Sequence, residues 1–201
     1  MLFRSALDEV YIQRAVAKGN MLTQAMSRTI DDFRNFFRPN RTKELFRIGD
    51  VLDTTVEMVR ASFDSHRVTI VTESEAPLCT EGFPGEFSQV LLNIMMNAKD
   101  ALVEGGGESN KVTVRIVPLR EHVCVQIEDN AGGVPESIKS RIFDPYFSTK
   151  DEGKGTGIGL YMSKMIIEKN MNGTLAVKDG KEGALFEILL KRVPCPAENG
   201  G

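Results

Sequence analysis

The stretch KVTVRIVPLREHVCVQIED, residues 111–129, decides the fold. In its first half Val112, Val114 and Ile116 alternate with Thr113 and Arg115; in its second, Val123, Val125 and Ile127 alternate with Gln126 and Glu128. A period of two sends one set of side chains to a buried face and the other toward water. Only Arg120 and Glu121 separate KVTVRIVPL from HVCVQIED, so the two runs pair as an antiparallel hairpin. A pair with one wet face excludes an all-parallel sheet covered by helices on both sides.

Outward from this hairpin, a helix is expected upstream at about 85–103, leaving through EGGGESN, whose glycines permit positive φ at a helix exit. Before it, a basic connector (Arg38, Arg41, Lys43) leads to a short strand at 46–48. Asp50 then caps a helix carrying Val51, Leu52, Val56 and Val59, and strands follow at 68–71 and 78–80. Downstream, a Gly- and Pro-rich stretch at 129–157 precedes a helix at 158–169 and two strands, GTLAVKD and GALFEILLK. Consecutive strand pairs with interspersed helices predict an α/β fold: a two-layer α/β sandwich, its mixed sheet carrying helices on one face. That domain is expected at 42–193, followed by a disordered tail at 194–201.

Residues 3–37 read as one long helix, with Phe3, Leu7, Val10, Leu22, Met26, Ile30, Phe33 and Phe37 recurring in helical steps until Pro39 ends it. Such a rod is roughly 50 Å long at 1.5 Å per residue, more than a small core needs, so its stripe reads as an interhelical bundle face. Gly19 and Asn20 mark a kink or a break into two helices.

The chain has 201 residues and a formal net charge of −3. It therefore presents no bulk positive field to nucleic acid or an anionic membrane, and any phosphate must be held locally. No window is apolar enough to span a bilayer, and MLFRSALDEV lacks a signal-peptide pattern. Three distant cysteines, Cys79, Cys124 and Cys195, without a CxxC, indicate neither a disulfide framework nor a zinc site, hence a reducing, cytoplasmic compartment.

The chemistry concentrates in four segments. In FSQVLLNIMMNAKDAL, Asn93, Asn97 and Asp100 share one helical face while Phe87, Leu91, Ile94, Ala98 and Leu102 form the other. Asn and Asp are poor helix formers, so a mid-helix face built from them implies a need for short, oxygen-bearing side chains. An amide oxygen can supply one neutral ligand to Mg²⁺, which makes Asn97 the metal-ligand candidate. HVCVQIED runs into NAGGVP, where a strand-end carboxylate, Asp129, can accept from an exocyclic amine beside small residues; the same residues also make an ordinary turn. In GKGTGIGL, glycines 153, 155, 157 and 159 allow backbone N–H groups to converge on an anion. The spacing fits neither a Rossmann fingerprint nor a P-loop. Between them, IFDPYFSTKDE places Phe143, Tyr146 and Phe147 in a polar loop, as in a lid, with Lys150 in reach of a phosphate or simply solvated.

These four segments, in this order, resemble the catalytic ATP-binding domain of sensor histidine kinases, within the superfamily that includes gyrase B, mismatch-repair and heat-shock-chaperone ATPases. NIMMNAKDAL looks like the N box, DNAGGVP the first glycine box, FDPYFSTK the F box and GKGTGIGL the second glycine box. MSRTIDDFRNFFRP is similar to the second helix of the dimerisation and phosphotransfer domain, which assigns residues 1–41 to that domain. The resemblance implies a Bergerat-type ATP-binding fold with ATP and Mg²⁺ as cofactors. Asn97 would bind the metal and Asn93 would lie near the γ-phosphate; Asn93 and Lys150 would serve catalysis. Asp129 would read adenine with Ala131 and Gly133 beside it. Asp100, Lys150, Gly153, Gly155, Thr156, Gly157, Gly159 and Leu160 would complete the nucleotide pocket.

The sequence departs from the family pattern in two places: Ala131 replaces the first glycine of DxGxG, and Ala184 and Leu185 stand where hydroxyl residues are frequent. His66 precedes Arg67 and His122 precedes Val123, unlike the family's phosphoacceptor, which an acidic residue usually follows. The chain is therefore expected to be a piece of a longer kinase, beginning after the acceptor helix. The implied partners are a dimerisation domain bearing the acceptor His, a response-regulator receiver domain and a second copy of the parent, which is cytoplasmic or anchored in the inner membrane. A superfamily ATPase or serine/threonine kinase, and a nucleotide-sensing module without transfer, are the other readings.

Overall fold

The computed structural model describes residues 11–13, 16, 19, 42–74, 76–107, 109–150 and 155–195. Residues 11–13, 16 and 19 are helical; the rest of the expected rod at 3–37 lies outside the described residues. The chain divides into two compact units, one of Thr42–Asp144 with Gly159–Gly201, the other of Met1–Arg41 with Pro145–Ile158.

The larger unit is built on a five-stranded mixed sheet. Its strands are β2 (Val68–Ser74), β4 (Asn110–Pro118), β5 (His122–Asp129), β6 (Thr174–Asp179) and β7 (Ala184–Lys191), in the order β2-β4-β5-β7-β6. β4 and β5 form the expected hairpin, with Val114 opposite Ile127; β5–β7 and β6–β7 are also antiparallel, and only β2 runs parallel to β4. The inward residues Val112, Val114, Val123, Val125, Ile188 and Leu190 are wholly buried. The two longest helices among the described residues lie on this face: α1 (Ile48–Ser65) through Leu52, Val56, Val59 and Phe63, and α2 (Pro84–Gly105) through Phe87, Leu91, Ile94 and Leu102. Burying Phe63 or Phe87 completely contributes roughly 1.5–3 kcal/mol each. The opposite face is polar. Arg115 joins Glu73 at 3.0 Å and Glu128 at 2.7 Å, and Gln126 and Lys178 both hold Glu187.

Four details differ from expectation. Ile48 opens α1 instead of closing a strand, and Arg47 occupies the N-cap; Asp50 sits in the first turn, where its charge favours the helix dipole without capping. β1 (Glu44–Arg47) does not join the main sheet but pairs antiparallel with β3 (Cys79–Gly82). A short helix, α3 (Glu136–Lys139), interrupts the Gly- and Pro-rich stretch. The helix expected at 158–169 is α4 (Gly159–Met165) followed by a π-helical turn, Ile166–Asn170. That wider turn keeps both Ile166 and Ile167 in the core and brings Asn170 Nδ2 to the buried Glu86 at 2.8 Å.

The cysteine reading is also corrected. Cys79 and Cys195 form a disulfide, their Cα atoms 5.2 Å apart across a separation of 116 residues. The cause is tertiary: β3 bridges to Val193, and Thr80 Oγ1 donates to Lys191 O at 2.9 Å, so the chain leaving β7 lies beside β3. Cys124 is the free thiol among the described residues; it is buried on the polar face, and burial pushes its pKa up. No helix among the described residues is long and apolar enough to cross a membrane.

Candidate functional site

On α2 the polar stripe is held at the edge of the core. Asn93, Asn97 and Asp100 are half-buried, whereas Phe87, Leu91, Ile94, Ala98 and Leu102 are at most 3% exposed. Asn93 Nδ2 donates to Gly159 O and to Ser163 Oγ, both at 3.3 Å. Ser163, fully buried, donates its own hydroxyl to Gly159 O at 2.9 Å. Gly159 opens α4 with its Cα against this amide: a Cβ there would lie 3.6 Å from Asn93 Cγ. Half-buried Leu160 follows it. Lys99 turns the other way, to Ser62 Oγ on α1 at 3.1 Å, and so ties the two helices together.

At the end of β5, Asp129 is only 5% exposed. Its Oδ1 accepts from the Ala131 N–H at 2.9 Å and the Ala184 N–H at 3.1 Å. Among the described residues no hydrogen bond is directed at Oδ2, which leaves an acceptor for an incoming amine. Burial pushes the carboxyl above the ordinary aspartate range; the two backbone donors oppose that shift and neighbouring Glu128 adds to it.

Both departures from the family pattern have a local explanation. Positive φ falls on Gly132 and Gly133, each at 88°, and not on Ala131, whose task is to donate its N–H. Ala184 likewise serves through its backbone, so no hydroxyl is needed for the bond to Asp129. Gly132 N–H donates to Glu182 O at 3.0 Å, and a Cβ on Gly133 would lie 3.5 Å from Gly183 O, so the first glycine box rests on the β6–β7 turn. Gly183 was not singled out from the sequence. A Cβ there would collide with the backbone carbonyl and Oδ1 of Asp129. The sequence signal is only a glycine ahead of a strand, the mark of any turn.

Residues 145–150 of the F box and 155–158 of the second glycine box lie in the other unit and pack together there. Gly157 has φ 64°, and a Cβ on it would approach Phe147 O to 2.7 Å. On Gly155 a Cβ would meet Ser148 Oγ at 2.9 Å and Lys150 Cδ at 3.3 Å. The Lys150 N–H donates to Ser148 Oγ at 3.1 Å, and Thr156 Oγ1 accepts from the Ile158 N–H at 3.4 Å. Tyr146 is 75% exposed with φ 65°, a left-handed conformation rare for a bulky residue. Gly153 lies outside the described residues. Phe143 belongs to the larger unit, where it packs edge-on against Phe186 at 6.5 Å and carries Lys164 Nζ 4.9 Å from its ring centre.

Among the described residues no group of three or more His, Cys, Asp or Glu could hold a metal. A single amide oxygen, that of Asn97, suits a cation that arrives with phosphate oxygens and water as its other ligands.

Residues 83–194 match the family described as histidine kinase-, DNA gyrase B- and HSP90-like ATPase. The two-component sensor PprA of Pseudomonas aeruginosa is 40% identical over 138 residues, 66% of this chain and 15% of that protein. The sensor kinase CckA of Brucella abortus is 34% identical over 120 residues, 54% of this chain and 13% of that one. The chain therefore spans about one seventh of the length of these relatives. The catalytic domain of histidine kinase ThkA has the same fold, with a TM-score of 0.68 at 24% identity over 77% of this chain and all of its own. ThkA in complex with the response regulator TrrA aligns with a TM-score of 0.68 at 20% identity, over 87% of this chain and 50% of that one. With the N box on α2, the pinned aspartate ending β5 and both glycine boxes inside the matched range, the chain belongs to the histidine kinase-, DNA gyrase B- and HSP90-like ATPase family.

Proposed function

We propose that this chain is the catalytic region of a two-component sensor kinase that takes Mg-ATP as substrate and delivers its γ-phosphoryl group to a histidine on a dimerisation domain. The observation that carries the reading is Asp129: a buried carboxylate with one oxygen fixed by two backbone donors and the other left to accept the adenine amine.

In this reading the chain's own work is positioning and charge neutralisation. Asp129 reads the base, with Gly133 keeping the approach open. Asn97 offers its amide oxygen to the magnesium of the substrate, with Asp100 one turn further along the same face. Gly155, Thr156, Gly157 and Gly159 border the triphosphate, and Lys150 meets its charge. A histidine nitrogen would attack the γ-phosphorus as the bond to the β,γ-bridging oxygen breaks and ADP leaves. Asn93 supports transfer to histidine over hydrolysis, because a carboxamide, unlike a carboxylate, is too weak a base to activate water. Residues 1–41 would supply the second helix of the dimerisation domain, and the phosphohistidine would pass its phosphate to an aspartate of a receiver domain.

The test is to incubate this chain with Mg-ATP labelled at the γ-position and a separately prepared dimerisation domain carrying an acceptor histidine. Acid-labile, base-stable label on that domain is the expected result. Measurable ATP binding with no such label would overturn the transferase assignment in favour of nucleotide sensing.

A further inference from the structure

We propose that Ser163 is a positioning residue: as the second acceptor beside Gly159 O it holds the Asn93 amide with its oxygen edge toward the nucleotide, without itself touching ligand. The proposal rests on the reading of the α2 stripe as nucleotide-facing.

The orientation follows from hydrogen-bond chemistry. Gly159 O has no proton to give, so the Asn93 atom that faces it at 3.3 Å is Nδ2. Ser163 gives its single hydroxyl proton to the same carbonyl at 2.9 Å and offers a lone pair to Nδ2 at 3.3 Å. The NH₂ edge of Asn93 is thus turned toward α4, and its oxygen is left on the opposite edge. That difference is chemical, because an outward NH₂ would donate to a phosphate whereas an outward oxygen accepts from water or coordinates a cation. Both bonds to Nδ2 are long and individually weak. The Gly159 carbonyl alone selects the edge that turns to α4 but holds it weakly, and the buried Ser163 oxygen is the second acceptor that keeps the amide from turning away. Ser163 is fully buried, so its effect on ligand travels through Asn93 or through Gly159, to whose carbonyl it also donates, and the Asn93→Ala background separates the two routes.

The experiment is a double-mutant cycle on the full chain, with Ser163→Ala, Asn93→Ala and the double variant, reading ATP affinity by calorimetry as magnesium is titrated. Ser163→Ala is expected to raise the magnesium concentration needed for half-maximal ATP affinity by about tenfold, the scale on which outer-sphere partners of a metal site act. Metal-free ADP binding in EDTA should change less than about twofold, and in the Asn93→Ala background the serine substitution should add nothing. Ser163→Thr, which keeps the hydroxyl, should restore the wild-type magnesium dependence; if either variant does not fold, Ser163→Cys, with a weaker acceptor at the same position, completes the cycle. A magnesium dependence unchanged in Ser163→Ala, or a loss that persists in full without Asn93, overturns the proposal. A wild-type chain that binds no ATP with or without magnesium overturns the nucleotide reading itself, which separates the two failures.

Discussion

Asp129 Oδ1 and the Ala184 N–H lie 3.1 Å apart across 55 residues of sequence, and this bond fastens the end of β5 to the start of β7. It also fixes which carboxylate oxygen remains available for ligand. Burial raises the Asp129 pKa above its unfolded value, so its contribution to stability is present below the unfolded pKa and is lost as pH rises through the folded one. At neutral pH the ionised group therefore costs stability. Asp129→Asn keeps an oxygen for the two backbone donors and removes the buried charge, but aims an NH₂ at the adenine amine. The expected outcome is a higher melting temperature at pH 7 together with loss of ATP binding by calorimetry. A variant that melts lower and still binds ATP contradicts both halves.

Gly183 should be intolerant of any side chain, because a Cβ there meets the backbone carbonyl and Oδ1 of Asp129 and neither can retreat without breaking the β5–β7 register. Gly183→Ala is expected to destabilise the chain by about 1–3 kcal/mol, as overpacking does. ATP affinity should fall more steeply than for a substitution of equal stability cost remote from Asp129. Urea unfolding and a binding isotherm on the same preparation measure the two effects.

The hairpin of residues 111–129 and the α2 stripe were legible because both are local periodicities. Val112 and Val114 declare an inward face by alternation, and Asn93, Asn97 and Asp100 share a helical face by their spacing. What could not be read depends on pairing at long range. The Cys79–Cys195 bond spans 116 residues and follows from β3 lying beside the chain that leaves β7. The π-helical turn at Ile166–Asn170 follows from the partner that Asn170 finds in Glu86. Gly183 looks like any turn glycine until the Asp129 carboxylate is placed against it.

The disulfide makes its own prediction. Joining residues 116 apart restricts the unfolded chain strongly, and native bridges of this kind contribute about 2–4 kcal/mol. Dithiothreitol or Cys79→Ser should lower the urea midpoint by a corresponding amount, and dithiothreitol should have no further effect on the serine variant. ATP binding should survive both treatments, because the bond lies at β3 and the chain end and not at Asp129 or Asn93. Equal midpoints for the oxidised and reduced chains would show that the bridge does not stabilise the fold.

On the polar face of the sheet, Arg115 Nη1 donates to Glu128 Oε2 at 2.7 Å, and this bond, assisted by the Lys181 backbone N–H, holds the Glu128 carboxyl below the ordinary glutamate range. A lowered folded pKa gives stability that is present above the unfolded value and is lost as pH falls through the folded one. The wild-type urea midpoint should therefore drop between about pH 5 and pH 3. Arg115→Met removes the main cause of the shift, so Glu128 titrates closer to its unfolded behaviour and the acid loss shrinks, even though the variant starts less stable at pH 7. Glu187, held low by Lys178, and Asp129, shifted the other way, titrate in both proteins and cancel from the comparison. Urea midpoints at pH 7 and pH 3 for the two chains suffice; parallel acid slopes would mean that the Arg115–Glu128 pair does not carry the pH dependence assigned to it.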